Sequence, residues 1–163
     1  MHPNSMRLMS AFRDKYLLSV QNLNILDVGS MSVDGGDYKQ LFTRGGWDYK
    51  GVDIAAGVNV DIVSPDPYKW PIDDNSYDVV ISGQCMEHVE APWLWVKEIE
   101  RVCKPDGLIC VIAPWSFQIH RFPVDCWRIL PDGMEYIFTK HCNFKRLACT
   151  VDGIDCFFVG KKV

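Results

Sequence analysis

The chain has 163 residues, a length that suits one domain around one core. Apolar residues make up 48 % and charged residues 23 %, with a formal net charge of −4, which excludes a disordered or fibrous chain. No Lys/Arg run could track a phosphate backbone, so no nucleic acid partner is expected, and no apolar stretch could span a bilayer, so no membrane partner is expected either.

Residues 5–19 carry apolar groups at Met6, Met9, Phe12, Tyr16 and Leu17 near helical spacing, with Ser5 as N-cap. Residues 1–20 thus read as an amphipathic lead-in helix. Its charges at Arg7, Arg13, Asp14 and Lys15 do not suit a signal peptide, and a cytoplasmic location is expected. Asn24–Val28 is a short apolar strand ended by Gly29. Asp37–Thr43 reads as a short helix stopped by Gly45-Gly46. Tyr49–Asp53 and Asn59–Val63 are the next two strands, followed by a Pro- and Asp-rich loop over Ser64–Asn75. Tyr77–Ser82 is a β-branched fourth strand.

Pro92–Cys103 is the clearest helix. Pro92 suits its first turn, apolar groups recur at Trp93, Leu94, Val96, Ile99 and Val102, and Lys104-Pro105-Asp106-Gly107 ends it. Leu108–Ala113 is a fifth strand, stopped by Pro114. A polar and aromatic loop spans Trp115–Ile129, and Pro131–Lys140 reads as a helix. Phe144–Val151 and Cys156–Val159 close the chain as strands joined by an Asp152-Gly153 hairpin turn. Strands that alternate with helices and are apolar throughout imply an α/β fold around a mostly parallel sheet, with the last strand antiparallel.

The seven cysteines include no Cys-x-x-Cys pair, so neither a metal site nor a disulfide framework is expected. They read as small hydrophobes.

In a parallel sheet, ligands bind beyond the carboxyl ends of the strands. After the first strand, Gly29 either opens the backbone to a ligand, with a following helix offering N–H groups, or simply makes a tight turn. Asp53 follows the second strand, 24 residues beyond Gly29. An acid at about that spacing accepts ribose hydroxyls in dinucleotide folds. Asp66 follows the third strand, where it either accepts from an adenine amino group or forms an Asp-Pro turn.

The stretch Trp70-Pro71-Ile72-Asp73-Asp74-Asn75-Ser76-Tyr77-Asp78-Val79-Val80 is similar to a segment of class I S-adenosylmethionine-dependent methyltransferases, of the type 11-like domain. Glu87-His88-Val89, Pro92, Glu98-Ile99, Arg101-Val102, Lys104-Pro105-Asp106-Gly107 and Pro114 resemble the next block of the same family. The resemblance implies a Rossmann-like three-layer sandwich with a seven-stranded sheet, and one methyltransferase domain over residues 1–163. It implies S-adenosyl-L-methionine as cofactor. By position, Asp27, Gly29 and Ser30 match the cofactor loop, and Asp53, with Ile54 beside it, matches the ribose acid. Asp66 and Pro67 match the adenine-contacting pair, and Ser82, Gly83 and Gln84 match the segment under the methionine moiety. One departure stands out. Met31 occupies the second position of the family's glycine-x-glycine-x-glycine loop.

The Trp115–Arg128 loop should overhang the cofactor and hold the acceptor, expected to be a small molecule rather than a macromolecule. His120 is the candidate base with Asp125 orienting it, while Arg121, Trp127 and Arg128 are candidate substrate-binding residues. An Asp–Trp–Arg cluster that merely staples the loop is the competing reading. His88 reads as a structural residue hydrogen-bonded at the helix start, and Glu87 as either cap or pocket lining. The chain is short, so the pocket is open, completed by a homodimer partner, or suited to a large acceptor. Trp93 and Trp95 lie on opposite sides of their helix, which hints at a partner surface. Two rivals remain: a non-catalytic binding module of the same fold, and an NAD-dependent dehydrogenase, for which the Gly-x-Gly-x-x-Gly loop is missing.

Overall fold

The computed structural model of the chain describes residues 3–33 and 35–163. Asp34, in the loop after the first strand, lies outside them. The elements in chain order are α1 (Pro3–Tyr16), β1 (Asn24–Val28), β2 (Asp48–Asp53), β3 (Ile62–Val63), β4 (Tyr77–Gly83), α2 (Pro92–Val102), β5 (Cys103–Pro114), α3 (Pro131–Tyr136), β6 (Phe144–Asp152) and β7 (Asp155–Lys162).

The strands form one seven-stranded sheet in the order β3-β2-β1-β4-β5-β7-β6. β1 pairs in parallel with β2 and β4, β2 with β3, and β4 with β5. β7 is antiparallel to both of its neighbours, as the short final turn implies. That turn places Gly153 at φ +57 between the paired Asp152 and Asp155. The strand order reverses between β1 and β4, so the ligand crevice of such a sheet opens there.

Successive side chains of a strand point to opposite faces, and the apolar runs of β1, β4 and β5 therefore feed two cores. Ile25, Val79, Ile81, Cys110 and Ile112 pack against Leu8, Met9 and Phe12 of α1. Leu26, Val80, Ile109 and Val111 pack against Trp95, Val96, Ile99 and Val102 of α2 and Met134 of α3. Helices thus cover both faces, giving the expected three-layer sandwich.

Several boundaries differ from those read in the sequence. Ser5 does not cap α1. It lies inside the helix, fully buried, and shares a hydrogen bond with the Tyr38 hydroxyl. The helix expected over Asp37–Thr43 is only a 3-10 turn over Lys39–Phe42. Only Ile62–Val63 of the third expected strand pairs, because Asn59 sits in the left-handed region at φ +68 and its side chain donates to Ser30 O and Tyr49 Oη. The helix expected over Pro131–Lys140 begins as α3 and widens into a π-turn over Ile137–His141. Trp95 is buried and Trp93 exposed, so only Trp93, edge-to-face with Trp127, faces outward.

Candidate functional site

Segments that leave the carboxyl ends of β1, β2, β3 and β4 converge on one cavity of about 930 Å³. Val28, Gly29 and Met31 form one wall, Asp53, Ile54 and Ala55 the next, and Pro67, Tyr68 and Trp70 the third. Gln84, Cys85 and His88 form the floor after β4, and Phe117 and His120–Val124 overhang it.

Gly29 has φ +74, and a Cβ there would lie 2.4 Å from Cys85 Sγ. Glycine is required by both backbone conformation and space. No helix follows directly. The next turn is the four-residue Lys39–Phe42 segment, too short to supply the expected helix N-terminus, and the Gly29, Ser30, Met31 and Ser32 amides already donate to Val52 O, Asp53 Oδ2 and Val58 O.

Asp53 ties two loops together. Its Oδ2 accepts from the Met31 amide at 2.9 Å and its Oδ1 from the Ile54 amide at 2.7 Å. Behind this wall, Asp27 is buried and accepts from Tyr49 Oη at 2.5 Å. Burial pushes its carboxyl up to about 7, against the opposing Tyr49 hydrogen bond. Ser30 Oγ donates to Asn59 O at 2.9 Å, and Ser82 Oγ donates to Val28 O at 2.7 Å. Gly83 packs under the Tyr38 hydroxyl, where a Cβ would lie 1.9 Å from that oxygen. Asp27, Ser30, Ser82 and Gly83 therefore hold the wall from behind, whereas Gly29, Asp53, Ile54, Pro67 and Gln84 line it.

Asp66 is exposed, and its Oδ1 accepts from the Tyr68 amide at 2.8 Å in an Asp-Pro turn. The loop carrying it is pinned to α2. Glu98 accepts from the Trp70 amide at 2.8 Å, and Arg101 donates to Glu98, Asp74 and the Ile72 and Trp70 carbonyls.

The overhanging loop is stapled by its own residues. Arg128 grips Asp125 with both terminal nitrogens, at 2.6 and 2.8 Å, and donates to the Phe117 and Gln118 carbonyls. This guanidinium holds the Asp125 carboxyl well below the usual carboxylate range. Asp125 also accepts from the His120 amide at 2.7 Å and lies 3.5 Å from His120 Nδ1. Trp127 Nε1 donates to Val89 O at 2.8 Å, and the Cys126 amide to Glu87 O at 2.8 Å. Arg128 therefore spends its donors within the loop and Trp127 on tying it to Glu87 and Val89, and both lie outside the main cavity, while Arg121 lines it.

The sequence did not point to His88 as a cavity residue. Its Nδ1 lies 2.6 Å from Val124 O, and its ring meets His120 edge-to-face with centroids 4.9 Å apart. Beside it, Glu87 is 0 % exposed, and neither carboxylate oxygen has a hydrogen-bond partner. Burial pushes the Glu87 carboxyl up to about 8. A carboxyl poised there, next to two imidazoles at the cavity edge, can exchange protons near neutral pH. The available signal was their position just past β4, where an open sheet places ligand contacts.

A family model described as a methyltransferase domain matches residues 26–111. The chain is 32 % identical over 89 residues to 2-methyl-6-phytyl-1,4-hydroquinone methyltransferase 2, chloroplastic, of Oryza sativa subsp. japonica, covering 53 % of this chain and 26 % of that protein. It is 36 % identical over 93 residues to an uncharacterized methyltransferase of Mycobacterium sp. (strain KMS), covering 52 % and 36 %. The chain thus spans about a quarter to a third of the length of these curated relatives. Among solved structures, a 1,6-didemethyltoxoflavin-N1-methyltransferase from Burkholderia thailandensis with bound 1,6-didemethyltoxoflavin and S-adenosylhomocysteine superposes with TM-score 0.77 at 14 % identity, covering 98 % and 78 %. A SAM dependent methyltransferase from Aquifex aeolicus superposes with TM-score 0.72 at 14 % identity, covering 100 % of both chains. At these identities the superpositions speak for the fold.

Proposed function

Because the chain belongs to the methyltransferase-domain family, we propose that it transfers a methyl group from S-adenosyl-L-methionine to a small-molecule acceptor. The observation that carries this reading is the convergence of four post-strand segments on one cavity of about 930 Å³. That volume lies near the top of the roughly 300–1,000 Å³ range of small-molecule sites, which leaves room for a nucleoside ligand and a small acceptor together.

The residues present fit the cofactor. Each Asp53 oxygen already takes one backbone N–H and keeps a lone pair for a ribose hydroxyl. Ile54 and Pro67 would flank the adenine, with Asp66 at the rim. The bare backbone of Gly29 admits close approach, and Gln84 would face the methionine end. When bound, the cofactor would supply an electrophilic methyl group on a sulfonium, open to an acceptor lone pair and with the thioether as leaving group. The protein's share is positioning, worth up to roughly 7–11 kcal/mol of barrier. Phe117 and Phe122 overhang the acceptor end and exclude water. His120, held by Asp125 through its backbone N–H, takes the acceptor proton. Arg121 favours an anionic acceptor group. The small-molecule methyltransferases among the relatives support an acceptor of that size. Seven free cysteines favour a reducing compartment such as the cytoplasm, and no described helix is long and apolar enough to cross a membrane.

Calorimetric titration with S-adenosyl-L-homocysteine tests this reading. Wild type should bind. Asp53→Ala should lose about tenfold or more in affinity, as expected for a lost hydrogen bond to a charged group, with circular dichroism unchanged. Absent wild-type binding, or equal affinity in the variant, would overturn it.

A further inference from the structure

We propose that Glu87, His88 and His120 form a binding site for a divalent transition ion of the zinc class at the acceptor end of the cavity. One donor atom from each residue can be chosen so that all three lie within 4.8 Å of one another. Donors around a single ion at about 2.1 Å stand up to roughly 4 Å apart. An adjustment of the three side chains by under about 1 Å would close that difference.

The tautomers support the assignment. A carbonyl oxygen only accepts, so the 2.6 Å contact of His88 Nδ1 with Val124 O places the proton on Nδ1. The lone pair is then on Nε2, which lies 3.6 Å from Glu87 Oε1. His120 repeats the pattern. Its Nδ1 lies 3.3 Å from Gln118 O and 3.5 Å from Asp125 Oδ2, which again leaves the lone pair on Nε2. Imidazole ligands of metals are commonly oriented this way, with the second nitrogen donating to a carbonyl or carboxylate.

Glu87 supplies the independent observation. Its side chain is 0 % exposed and both oxygens lack a hydrogen-bond partner. Once Glu87 gives up its proton on ion binding, its carboxylate and the two imidazole lone pairs form a set of acceptors that a cation satisfies. Two nitrogens and one carboxylate match a borderline ion rather than Mg²⁺ or Ca²⁺, which prefer all-oxygen shells. Three protein ligands leave a coordination position open, as in catalytic rather than structural sites. His88 and His120 both line the cavity, so that position faces the acceptor. The ion would therefore hold an acceptor oxygen and acidify its proton, and His120, whose lone pair then goes to the ion, would serve as ligand in place of base. This role rests on the methyl-transfer reading, whereas the binding site itself does not. Residues 87 and 88 are adjacent but His120 is 32 residues further on, so no ligand spacing announced the site.

The test is titration of chelator-treated protein with Co²⁺, followed by its visible absorption, and with Zn²⁺ in competition. Wild type should take up about one equivalent with a band of nitrogen and oxygen ligation and no thiolate charge transfer. His120→Ala, on an exposed loop, and the isosteric Glu87→Gln should each weaken binding by more than about 100-fold, beyond the loss of an outer partner. Cys126→Ser, at an exposed thiol on the same loop, should bind as wild type does. No saturable Co²⁺ or Zn²⁺ uptake, undiminished uptake in both variants, or loss on Cys126→Ser would overturn the proposal. S-adenosyl-L-homocysteine binding, measured on the same samples, separates the two readings. Cofactor binding without Co²⁺ binding removes the metal site alone.

Discussion

The Asp53 carboxylate accepts the Met31 amide at 2.9 Å, clamping the loop after β1 onto the end of β2. Met31 stands where related loops carry glycine, yet it is the backbone that makes this contact. The side chain turns toward Gly57, where a Cβ would lie 2.9 Å from Met31 Cγ. Met31→Gly should therefore retain S-adenosyl-L-homocysteine affinity within a few-fold. It should lower stability by about 0.5–1 kcal/mol, the usual backbone-entropy cost of glycine. Calorimetry and denaturant midpoints check both.

Gly29→Ala should do the opposite. Its φ of +74 and the 2.4 Å approach of its added Cβ to Cys85 Sγ combine conformational and steric strain. We expect a loss of about 2–4 kcal/mol, read as a fall in Tm of roughly 4–16 °C. Cofactor affinity should fall with it. A Tm within a degree or two of wild type would contradict the contact.

Asp27 predicts a pH dependence of stability. Its ordinary value is 3.8, and burial raises it to about 7 in the folded chain. Between these values the folded chain keeps a proton that the unfolded chain has released, so stability falls as pH rises through the window and levels off above it. Asp27→Asn keeps an acceptor for Tyr49 Oη and abolishes the titration. The Tm of the variant relative to wild type should therefore increase between pH 5 and pH 8. A constant difference would refute the assignment.

Arg128 stands as a staple. Arg128→Ala removes both bonds to the Asp125 carboxylate, whose side chain is 1 % exposed, and the bonds to the Phe117 and Gln118 carbonyls. The expected cost is about 1–3 kcal/mol. Limited proteolysis followed by mass spectrometry should show faster cleavage within residues 115–130, with S-adenosyl-L-homocysteine affinity unchanged. Unaltered cleavage would deny the loop its anchor.

The sheet was legible because β1, β4 and β5 are apolar on both faces, and a strand buried on both sides leaves that mark. β3 was legible only in its last two residues, since the left-handed Asn59 breaks the pattern through a side-chain hydrogen bond that no periodicity records. Gly29 and Asp53 were readable from their place just after strands and do share the cavity, whereas Asp66, read in the same way, is exposed in its turn, and only its neighbour Pro67, placed by the resemblance, lines the cavity. Glu87 and His88 were underrated because their surroundings depend on the Trp115–Ile129 loop folding back across β4. Cys126 and Trp127 amides binding Glu87 O make that fold, and such contacts carry no local signature.

On the proposed reading, the ends of the first three strands build one nucleoside site. A crystal structure grown with S-adenosyl-L-homocysteine tests it most directly. Ribose hydroxyls should lie within hydrogen-bond distance of Asp53, the adenine between Ile54 and Pro67, and the homocysteine tail should run past Gly29 toward Gln84. Ligand density elsewhere on the molecule, or a ribose turned away from Asp53, would contradict it.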